Sequence, residues 1–353
     1  MPVGPVLPEP AVAAKRHRRR RRLIVAGAVT LVVLVTPFVV NALTPRPLAL
    51  LLRSYVGATD DTVTIGPYAD RLKGVNASEP ISVPVGGLPD AELTLYSNGD
   101  GSETGKPVVL FIHGGGWILG KASQVASYAK LLASEGYLVA NLDYSLAPEY
   151  EYPAPVLQSL AALDYLHKNA ASRGGDPARL FVGGNSAGAQ IAAQLGAIVT
   201  NPALRDDMHV SVETPADALR GIFLYSGPYD FSTVARTDFP AFDAFAWSYL
   251  GRKDWQSDPR IDQLSTTRTA TADYPPTYLT TGDADPLEPQ SYELDAVLRA
   301  KGVDVTSRYW TGTGSGLPHD YVFDLSKTAA QTAFDDTVAF IEQHSSPRAR
   351  ARA

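Results

Sequence analysis

The strongest constraint on the fold of this chain is an alternation of short apolar runs and longer helical segments between residues 91 and 343. The run at 107–113 (PVVLFIH) is continuous and rich in β-branched residues, as expected for a central parallel strand covered on both faces. Segments of helical length separate these apolar runs, and a helix stop signal such as Gly136 ends a helical segment. This alternation predicts an α/β fold with a doubly wound, mostly parallel sheet.

The same pattern gives approximate bounds for each element. The predicted strands are 91–96, 107–113, 138–144, 179–184, 221–226, 277–282 and 303–310. The predicted helices are 124–135, 155–171, 187–200, 288–301 and 329–343. An aromatic-rich insertion at about 228–275 interrupts the alternation, and it indicates either a cap over the site or a peripheral packing subdomain. Residues 44–90 show no clear period, and we interpret them as a linker followed by a covering segment.

Composition excludes several classes of protein. Of the 353 residues, 45% are hydrophobic and 19% are charged, so the chain can bury a core and is not globally disordered. The absence of Cys excludes disulfides, thiolate metal sites and a cysteine nucleophile. The net charge of −6 hides basic ends: without 15–22, 348–352 and Glu9, the body from 23 to 347 keeps 21 basic and 36 acidic residues, or −15. Since nucleic-acid binding needs clustered cations, we expect no nucleic-acid partner.

The N-terminus predicts a membrane address. Residues 23–43 (LIVAGAVTLVVLVTPFVVNAL) are 21 uncharged residues, long enough to cross a bilayer as a helix, and seven cations precede them at 15–22. By the positive-inside rule, residues 1–22 would stay in the cytoplasm and the rest would be extracytoplasmic. We interpret 23–43 as a signal anchor. The alternatives are a signal peptide cleaved near Ala42 and a basic patch followed by a buried core helix.

A first chemical signal is the sequence Gly184-Asn185-Ser186-Ala187-Gly188, which joins the predicted strand 179–184 to the predicted helix 187–200. Such a tight turn needs Gly184 and Gly188, because a Cβ at either position would collide with neighbouring backbone. It would expose the Ser186 hydroxyl above the sheet at a helix N-terminus, where partial positive charge favours an oxyanion. The pattern predicts Ser186 as a nucleophile.

A second signal is His113-Gly114-Gly115-Gly116-Trp117, directly after the strand 107–113. Successive glycines expose backbone N–H groups, which is what stabilising a tetrahedral oxyanion requires. We predict an oxyanion hole built from the N–H groups of Gly115, Gly116 and Ala187. A flexible loop or a phosphate-binding nest is the alternative, although no Lys-Ser/Thr follows the glycines. We interpret His113 as a structural anchor of this loop.

A serine nucleophile needs a base and an orienting acid. His319 lies in the loop between the last predicted strand and the last predicted helix, where a base would be expected. The other histidines occupy less suitable places: His17, His113, His167, His209 and His344. The acid should follow the strand 277–282, where Asp283 and Asp285 both lie, and either could instead cap the next helix. We favour Asp285, with Asp283 as the alternative.

Several motifs, in order, resemble the hormone-sensitive-lipase-like family of α/β-hydrolase esterases over roughly residues 90–345. They are HGGGW at 113–117, DYSLAPEY at 143–150, GGDPARLFVGGNSAG at 174–188, DADPL at 283–287 and PHDY at 318–321. The resemblance implies an α/β-hydrolase fold with a cap, a Ser186–His319–Asp285 triad, and ester hydrolysis without metal or organic cofactor. Two departures concern substrate preference: Asn185 stands where the family commonly has Asp or Glu, and His319-Asp320-Tyr321 where it commonly has His-Gly-Phe.

These observations predict the following organisation: a basic segment at 1–22, a membrane segment at 23–43, a covering segment at 44–90, a hydrolase domain at 91–345 and a basic tail at 346–353. The expected function is hydrolysis of small-molecule esters with short-to-medium acyl chains. One alternative is a related serine hydrolase acting on amides or acetylated glycans, such as an amidase, arylformamidase or deacetylase. Another is a non-catalytic, membrane-tethered binding module with the hydrolase fold.

Overall fold

The computed structural model describes Met1, Arg21 and residues 43–56, 61–99 and 102–346. Two compact units divide the chain, residues 1–50 and 51–353. The second unit contains the sheet and all the candidate site residues. The predicted membrane segment at 23–43 and the basic tail lie almost entirely outside the described residues. Within the described part of the chain, no helix has the length and apolar character needed to cross a membrane.

The described residues contain nine strands that form one sheet. They are β1 (Val75–Ala77), β2 (Ile81–Val83), β3 (Ala91–Asn98), β4 (Lys106–Ile112), β5 (Leu138–Asp143), β6 (Gly175–Asn185), β7 (Leu219–Tyr225), β8 (Thr277–Thr280) and β9 (Val305–Arg308). Their order is β1-β3-β5-β4-β6-β7-β8-β9, and β2 pairs with β3. Strand β3 runs antiparallel to β5, whereas the pairs from β5 through β9 are parallel. The α/β class and the mostly parallel sheet predicted from the sequence are confirmed.

Helices connect and cover these strands. They are α1 (Arg46–Val56), α2 (Ala126–Ser134), α3 (Ala154–Asn169), α4 (Ala187–Thr200), α5 (Pro202–Met208), α6 (Phe242–Leu250), α7 (Ile261–Leu264), α8 (Thr266–Thr269), α9 (Glu288–Ala300) and α10 (Thr328–Ser345). Short 3₁₀ helices lie at Gly66–Gly74, Ala122–Val125, Ala170–Arg173, Val234–Arg236, Trp255–Ser257 and Tyr321–Phe323.

The central strands are apolar because both of their faces are covered. Val109 and Phe111 of β4 belong to a buried cluster with residues of α2 and α10. Side chains alternate along a strand, so Val108 points to the opposite face, and there it lies close to Ala170 at the end of α3, beside Gly175. Helices on both faces of a parallel sheet explain why 107–113 is continuously hydrophobic rather than alternating.

Sheet polarity determines where the chemistry can lie. In parallel strands the carboxyl ends meet at one edge of the sheet. Strands β4 and β6 end there close to Gly114 and Ser186, and β8 ends there before the loop that carries Asp285. Strand β8 ends at Thr280, two residues earlier than predicted, which leaves Asp285 in the following loop. The loop from β9 to α10 brings His319 to the same edge.

The covering segment contains more structure than its irregular sequence indicates. Residues 46–56 form α1, and residues 66–83 contain a 3₁₀ helix and two short strands. Arg53 donates hydrogen bonds to the Ile118 and Ala147 carbonyl oxygens, at 2.7 and 2.5 Å, and it pairs with Glu149 at 2.7 Å. All three contacts are made by one charged side chain, and a pattern of hydrophobic residues in the sequence cannot predict such contacts.

Candidate active site

Ser186 occupies a strained turn between β6 and α4. Its backbone has φ 52° and ψ −120°, a conformation that non-glycine residues rarely adopt, and its N–H donates to the Tyr225 carbonyl oxygen at 2.8 Å. The turn directs the chain sharply from the sheet edge into the helix. Strain of this kind is typical of a nucleophile held exposed at the start of a helix.

The two flanking glycines are required by close backbone contacts. A Cβ on Gly184 would lie 2.5 Å from the Ile112 carbonyl oxygen, and one on Gly188 would lie 2.5 Å from the His113 carbonyl oxygen and closer still to that of Ile112. Real Cβ atoms do not approach backbone atoms so closely. The steric argument made from the sequence for Gly184 and Gly188 therefore matches the contacts in the structure.

The structure brings the predicted nucleophile, base and acid into one hydrogen-bonded line. His319 Nε2 lies 2.9 Å from Ser186 Oγ, and His319 Nδ1 lies 3.0 Å from each carboxylate oxygen of Asp285. Ser186 is only 8% exposed, and Asp285 only 4%. Phe239 packs edge-on against the imidazole, with ring centroids 4.9 Å apart. This is the arrangement in which an imidazole can take a proton from a serine hydroxyl while a carboxylate orients it.

Asp285 and Asp283 have different roles. Burial opposes ionisation of Asp285, but the hydrogen bond and the charge of His319 outweigh it and hold the pKa of Asp285 below its usual value. Asp283 instead accepts hydrogen bonds from the backbone N–H groups of Ser315 and Leu317, at 2.9 and 2.7 Å. Asp285 thus lies against the His319 imidazole, and Asp283 holds the loop that leads to His319.

The glycine loop lies directly beside the serine. Gly115, Gly116 and Ala187 line the same cavity as Ser186. Gly115 and Gly116 have φ of 110° and 58°, which suits glycine. The preceding N–H, that of Gly114, donates instead to Asn185 Oδ1 at 2.9 Å.

His113 anchors the glycine loop through its buried ring. Its ring is buried and stacks on Tyr144 with centroids 4.3 Å apart, and its Nδ1 lies 2.7 Å from the Gly114 carbonyl oxygen. Burial lowers the pKa of His113, although the charge of Asp143 opposes the shift. His113 is therefore held neutral, and its contacts fit the structural role expected from the sequence.

The other histidines in the part of the chain that the structure describes do not contact the site. His167 Nδ1 lies 3.1 Å from the Pro177 carbonyl oxygen, and His209 ends helix α5 in a left-handed conformation. His344 lies 3.8 Å from Asp304 at the end of α10. His17 lies outside the described residues.

A cavity of about 170 Å³ opens above Ser186. Its walls are mainly apolar, and three of its aromatic residues come from the insertion at 228–275. The lining residues include Trp117, Leu119, Pro228, Phe239, Phe242, Phe245 and Leu287. An apolar chamber next to a nucleophile can hold a hydrocarbon group and exclude water around it.

Asp320 is a residue of this site that the sequence argument left without a role. Its Oδ2 lies 3.7 Å from His319 Nε2 and accepts a hydrogen bond from Asn185 Nδ2 at 2.8 Å. Burial opposes protonation of His319, but the carboxylates of Asp320 and Asp285 outweigh it and raise the pKa of His319 to about 9. The signal in the sequence was the pair of departures at 185 and 320, whose proximity only the fold reveals.

Comparisons with known proteins agree with this geometry. The sequence model of a family described as having the α/β-hydrolase fold matches residues 109–322. Carboxylesterase NlhH of Mycobacterium tuberculosis is 34% identical over 203 residues, which are 56% of this chain and 62% of NlhH. The chain thus covers less than two thirds of that relative. Versiconal hemiacetal acetate esterase of Dothistroma septosporum is 28% identical over 251 residues, 69% of this chain and 74% of that protein.

Solved structures show the same fold. A bacterial heroin esterase matches with a TM-score of 0.68 and 25% identity, over 85% of this chain and 91% of its own. Esterase B from Lactobacillus rhamnosis matches with a TM-score of 0.71 and 22% identity, over 85% of this chain and 95% of its own. The family match covers more than half of the chain and includes the strands and loops that carry Ser186, Asp285 and His319. This chain belongs to the α/β-hydrolase fold family, and its resemblance to the hormone-sensitive-lipase-like esterases is confirmed.

Proposed function

We propose that this protein is a serine hydrolase of carboxylic esters with short-to-medium acyl chains. The observation that carries the proposal is the hydrogen-bonded line from Ser186 through His319 to Asp285, with Nε2 at 2.9 Å from the serine oxygen. Membership of the family and the names of its relatives, carboxylesterase and acetate esterase, support the same reaction.

The first half of the reaction follows from this line. His319 Nε2 takes the proton of Ser186 Oγ as the oxygen attacks the ester carbonyl carbon, and Asp285 stabilises the imidazolium that forms. The tetrahedral oxyanion is stabilised by the N–H groups of Gly115, Gly116 and Ala187. As the intermediate collapses, the bond to the alcohol oxygen breaks, and His319 gives its proton to that oxygen. The products are a free alcohol and an acyl-Ser186 ester.

The second half repeats these steps with water. His319 takes a proton from a water molecule that attacks the acyl carbon, and the oxyanion returns to the same N–H groups. Collapse then breaks the bond to Ser186 Oγ, and His319 returns the proton to that oxygen. The net reaction is ester plus water to carboxylic acid plus alcohol, and every proton passes through one imidazole nitrogen.

The size and lining of the cavity support the choice of acyl chain. A volume of about 170 Å³ bounded by Phe239, Phe242 and Phe245 holds a few methylene groups but not a long extended chain. Each buried methylene contributes about 0.8 kcal/mol, so affinity should rise with chain length until the cavity is full and then fall. We therefore expect a maximum at short-to-medium acyl chains.

The test is a substrate panel with three classes of compound: p-nitrophenyl esters from acetate to palmitate, the corresponding anilides, and acetylated glycans. The proposal predicts the highest kcat/KM for p-nitrophenyl esters between acetate and octanoate. Faster turnover of anilides or acetylated glycans than of any simple ester would contradict it and favour an amidase or a deacetylase. No turnover of any class by the folded protein would favour a non-catalytic module.

We also propose that the hydrolase domain is extracytoplasmic and tethered by residues 23–43. The support is the uncharged run itself and the seven cations before it. In intact cells carrying the protein, added protease should digest the domain, and the protein should sediment with membranes. A soluble secreted form that begins after Ala42 would indicate cleavage instead, and a domain protected from protease in intact cells would refute the proposed orientation.

A further inference from the structure

The reaction described above gives no role to Asp320, yet this residue faces the reacting edge of the base. Its Oδ2 lies 3.7 Å from His319 Nε2, the nitrogen that exchanges protons with Ser186. Asp285 contacts the opposite nitrogen, Nδ1, at 3.0 Å. The imidazole therefore lies between two carboxylates rather than next to one.

The position of Asp320 is held by specific contacts. Its φ is +57°, a left-handed conformation that costs energy for any residue except glycine. Asn185 Nδ2 donates to Asp320 Oδ2 at 2.8 Å, while Asn185 Oδ1 accepts the Gly114 N–H at 2.9 Å. The amide of Asn185 donates to the carboxylate through its nitrogen and accepts from the backbone through its oxygen, and an ionised carboxylate at this position could not donate to Asp320. The residue before the nucleophile thus ties the Asp320 carboxylate to the glycine loop.

The charged and titratable groups around this pair come from several elements. His319 faces Asp285 and Asp320, and the charge of Asp285 also acts on the Asp320 carboxylate. The Asp320 charge in turn acts on the buried Tyr229. His113 and Lys121 line a second cavity, of about 300 Å³, which Asp320 also borders. Among the described residues, the buried Asp320 Oδ1 has no hydrogen-bond partner. The nearest cationic group in contact with this carboxylate is the protonated form of His319.

We propose that Asp320 is a second positioning carboxylate of the base, which stabilises the His319 imidazolium from its Nε2 side while that ring carries the proton between Ser186 and the alcohol. The inference rests on the proposed function, since it assigns a role within that reaction. The stabilisation comes from Coulomb attraction between Asp320 Oδ2 and His319 Nε2, which lie 3.7 Å apart in a partly buried site. Asp320 lies 3.7 Å from His319 Nε2, and its role is exerted through that ring.

The Asp320 charge should shift the pH profile of activity in one direction. Two carboxylates favour the protonated imidazole, and they raise the pKa of His319 to about 9. Below that pKa the imidazole is occupied by a proton and cannot act as a base, so activity should be lost as the pH falls. Removing the Asp320 charge should lower the pKa of His319 by about 1–3 units and move the acidic limb of the pH profile to lower pH.

The test compares pH profiles of kcat/KM for the full chain and three variants with p-nitrophenyl butyrate. Asp320→Asn keeps the shape and removes the charge, and Asp320→Gly also relieves the left-handed conformation if the first variant folds poorly. Asp324→Asn is the matched control, because it removes one charge from the same loop at a carboxylate that binds Ser326 instead. We expect both Asp320 variants to shift the acidic midpoint down by at least about one pH unit, and the control to leave it unchanged.

With that shift, the ratio of kcat/KM at pH 6.5 to that at pH 9.5 should rise about tenfold in the Asp320 variants. A lower kcat/KM at every pH with an unmoved midpoint would overturn the inference and leave Asp320 a structural role. An equal shift of the acidic midpoint in Asp324→Asn would also overturn the inference, because the loss of any negative charge from this loop would then have the same effect.

A second readout does not depend on ester hydrolysis. In the Ser186→Ala protein labelled with ¹³C-histidine, NMR titration reports the pKa of His319 directly, with and without Asp320→Asn. A pKa that falls by about one unit or more supports the inference even if no ester is turned over. An unchanged pKa refutes it even if the protein proves to be an active esterase.

Discussion

Asp285→Asn tests the orientation of the base more sharply than removal of the side chain does, because it preserves the shape of the site. Asp285 Oδ1 accepts the Leu287 N–H at 2.9 Å, so the carbonyl oxygen of an asparagine would take that position. The amide nitrogen would then occupy the Oδ2 position, 3.0 Å from His319 Nδ1. Nδ1 lies 3.0 Å from both positions, so an amide N–H at one of them removes an acceptor from the Nδ1–H form of the imidazole and favours the tautomer with its proton on Nε2, directed at Ser186.

The expected loss is large. An imidazole with its proton on Nε2 cannot accept one from Ser186, and the wrong tautomer costs about 10⁴ in kcat in a Ser-His-Asp site. At 1.36 kcal/mol for each factor of ten, this loss corresponds to about 5.4 kcal/mol of transition-state stabilisation. The free energy of unfolding should change far less, because Leu287 and Thr281 can keep hydrogen bonds to the amide.

The assay is steady-state hydrolysis of p-nitrophenyl butyrate, with urea unfolding of each variant as the check on stability. Asp283→Asn is the control, since it alters an acid two residues away whose partners are backbone N–H groups of the following loop. We expect it to keep kcat within about tenfold of the unmodified protein. A loss of less than about 30-fold in Asp285→Asn, or a larger loss in Asp283→Asn, would refute the assignment of Asp285 as the orienting acid.

Other predictions follow from single contacts. Gly188→Ala should lower the free energy of unfolding by about 3 kcal/mol, measured by urea unfolding, because its Cβ would meet the Ile112 and His113 carbonyl oxygens. Phe245→Ala should enlarge the cavity and raise the ratio of kcat/KM for octanoate over butyrate about tenfold or more; an unchanged ratio would place the acyl chain elsewhere. In the unmodified protein, kcat/KM should increase with pH towards about 9 as His319 loses its proton, and a plateau reached by pH 7 would contradict the raised pKa.

The raised pKa of His319 moves the acidic limb of the pH profile above the position expected for an imidazole without charged neighbours. An unperturbed imidazole would lose activity only below about pH 6. The fold places the Asp320 carboxylate 3.7 Å from His319 Nε2, and its charge shifts the acidic limb of the pH profile to higher pH. The sequence shows that Asp320 follows the base, but adjacency in the chain does not say which ring nitrogen the carboxylate faces.

The strands and the nucleophile turn were predictable because each rests on a local rule. Continuous apolar runs such as 107–113 indicate a strand covered on both faces, and the structure has β4 at Lys106–Ile112. The predicted helix 187–200 has the same bounds as α4, because the turn at Ser186 precedes its first residue and Asn201-Pro202 follows its last one. Topology then places the loops after β6 and β8, with the loop before α10, at one edge of the sheet.

The rest depends on contacts between distant parts of the chain. The sequence analysis places no element at 46–56, where the structure has helix α1, and Arg53 of this helix donates to two backbone carbonyls of distant loops. The choice between Asp283 and Asp285 could not be fixed by chain position, because both follow β8 and both can form local hydrogen bonds. The hydrogen bond between Asn185 and Asp320 joins residues 135 positions apart, and only the assembled sheet brings them together.

The most direct test of the central claim is the rate of p-nitrophenyl butyrate hydrolysis by Ser186→Ala, compared with the unmodified protein and with Ser172→Ala at an exposed serine. We expect Ser186→Ala to lose activity by a factor of about 10⁵–10⁶ with an unchanged circular dichroism spectrum, while Ser172→Ala keeps the full rate. Residual activity of Ser186→Ala within tenfold of the unmodified protein would show that another group is the nucleophile.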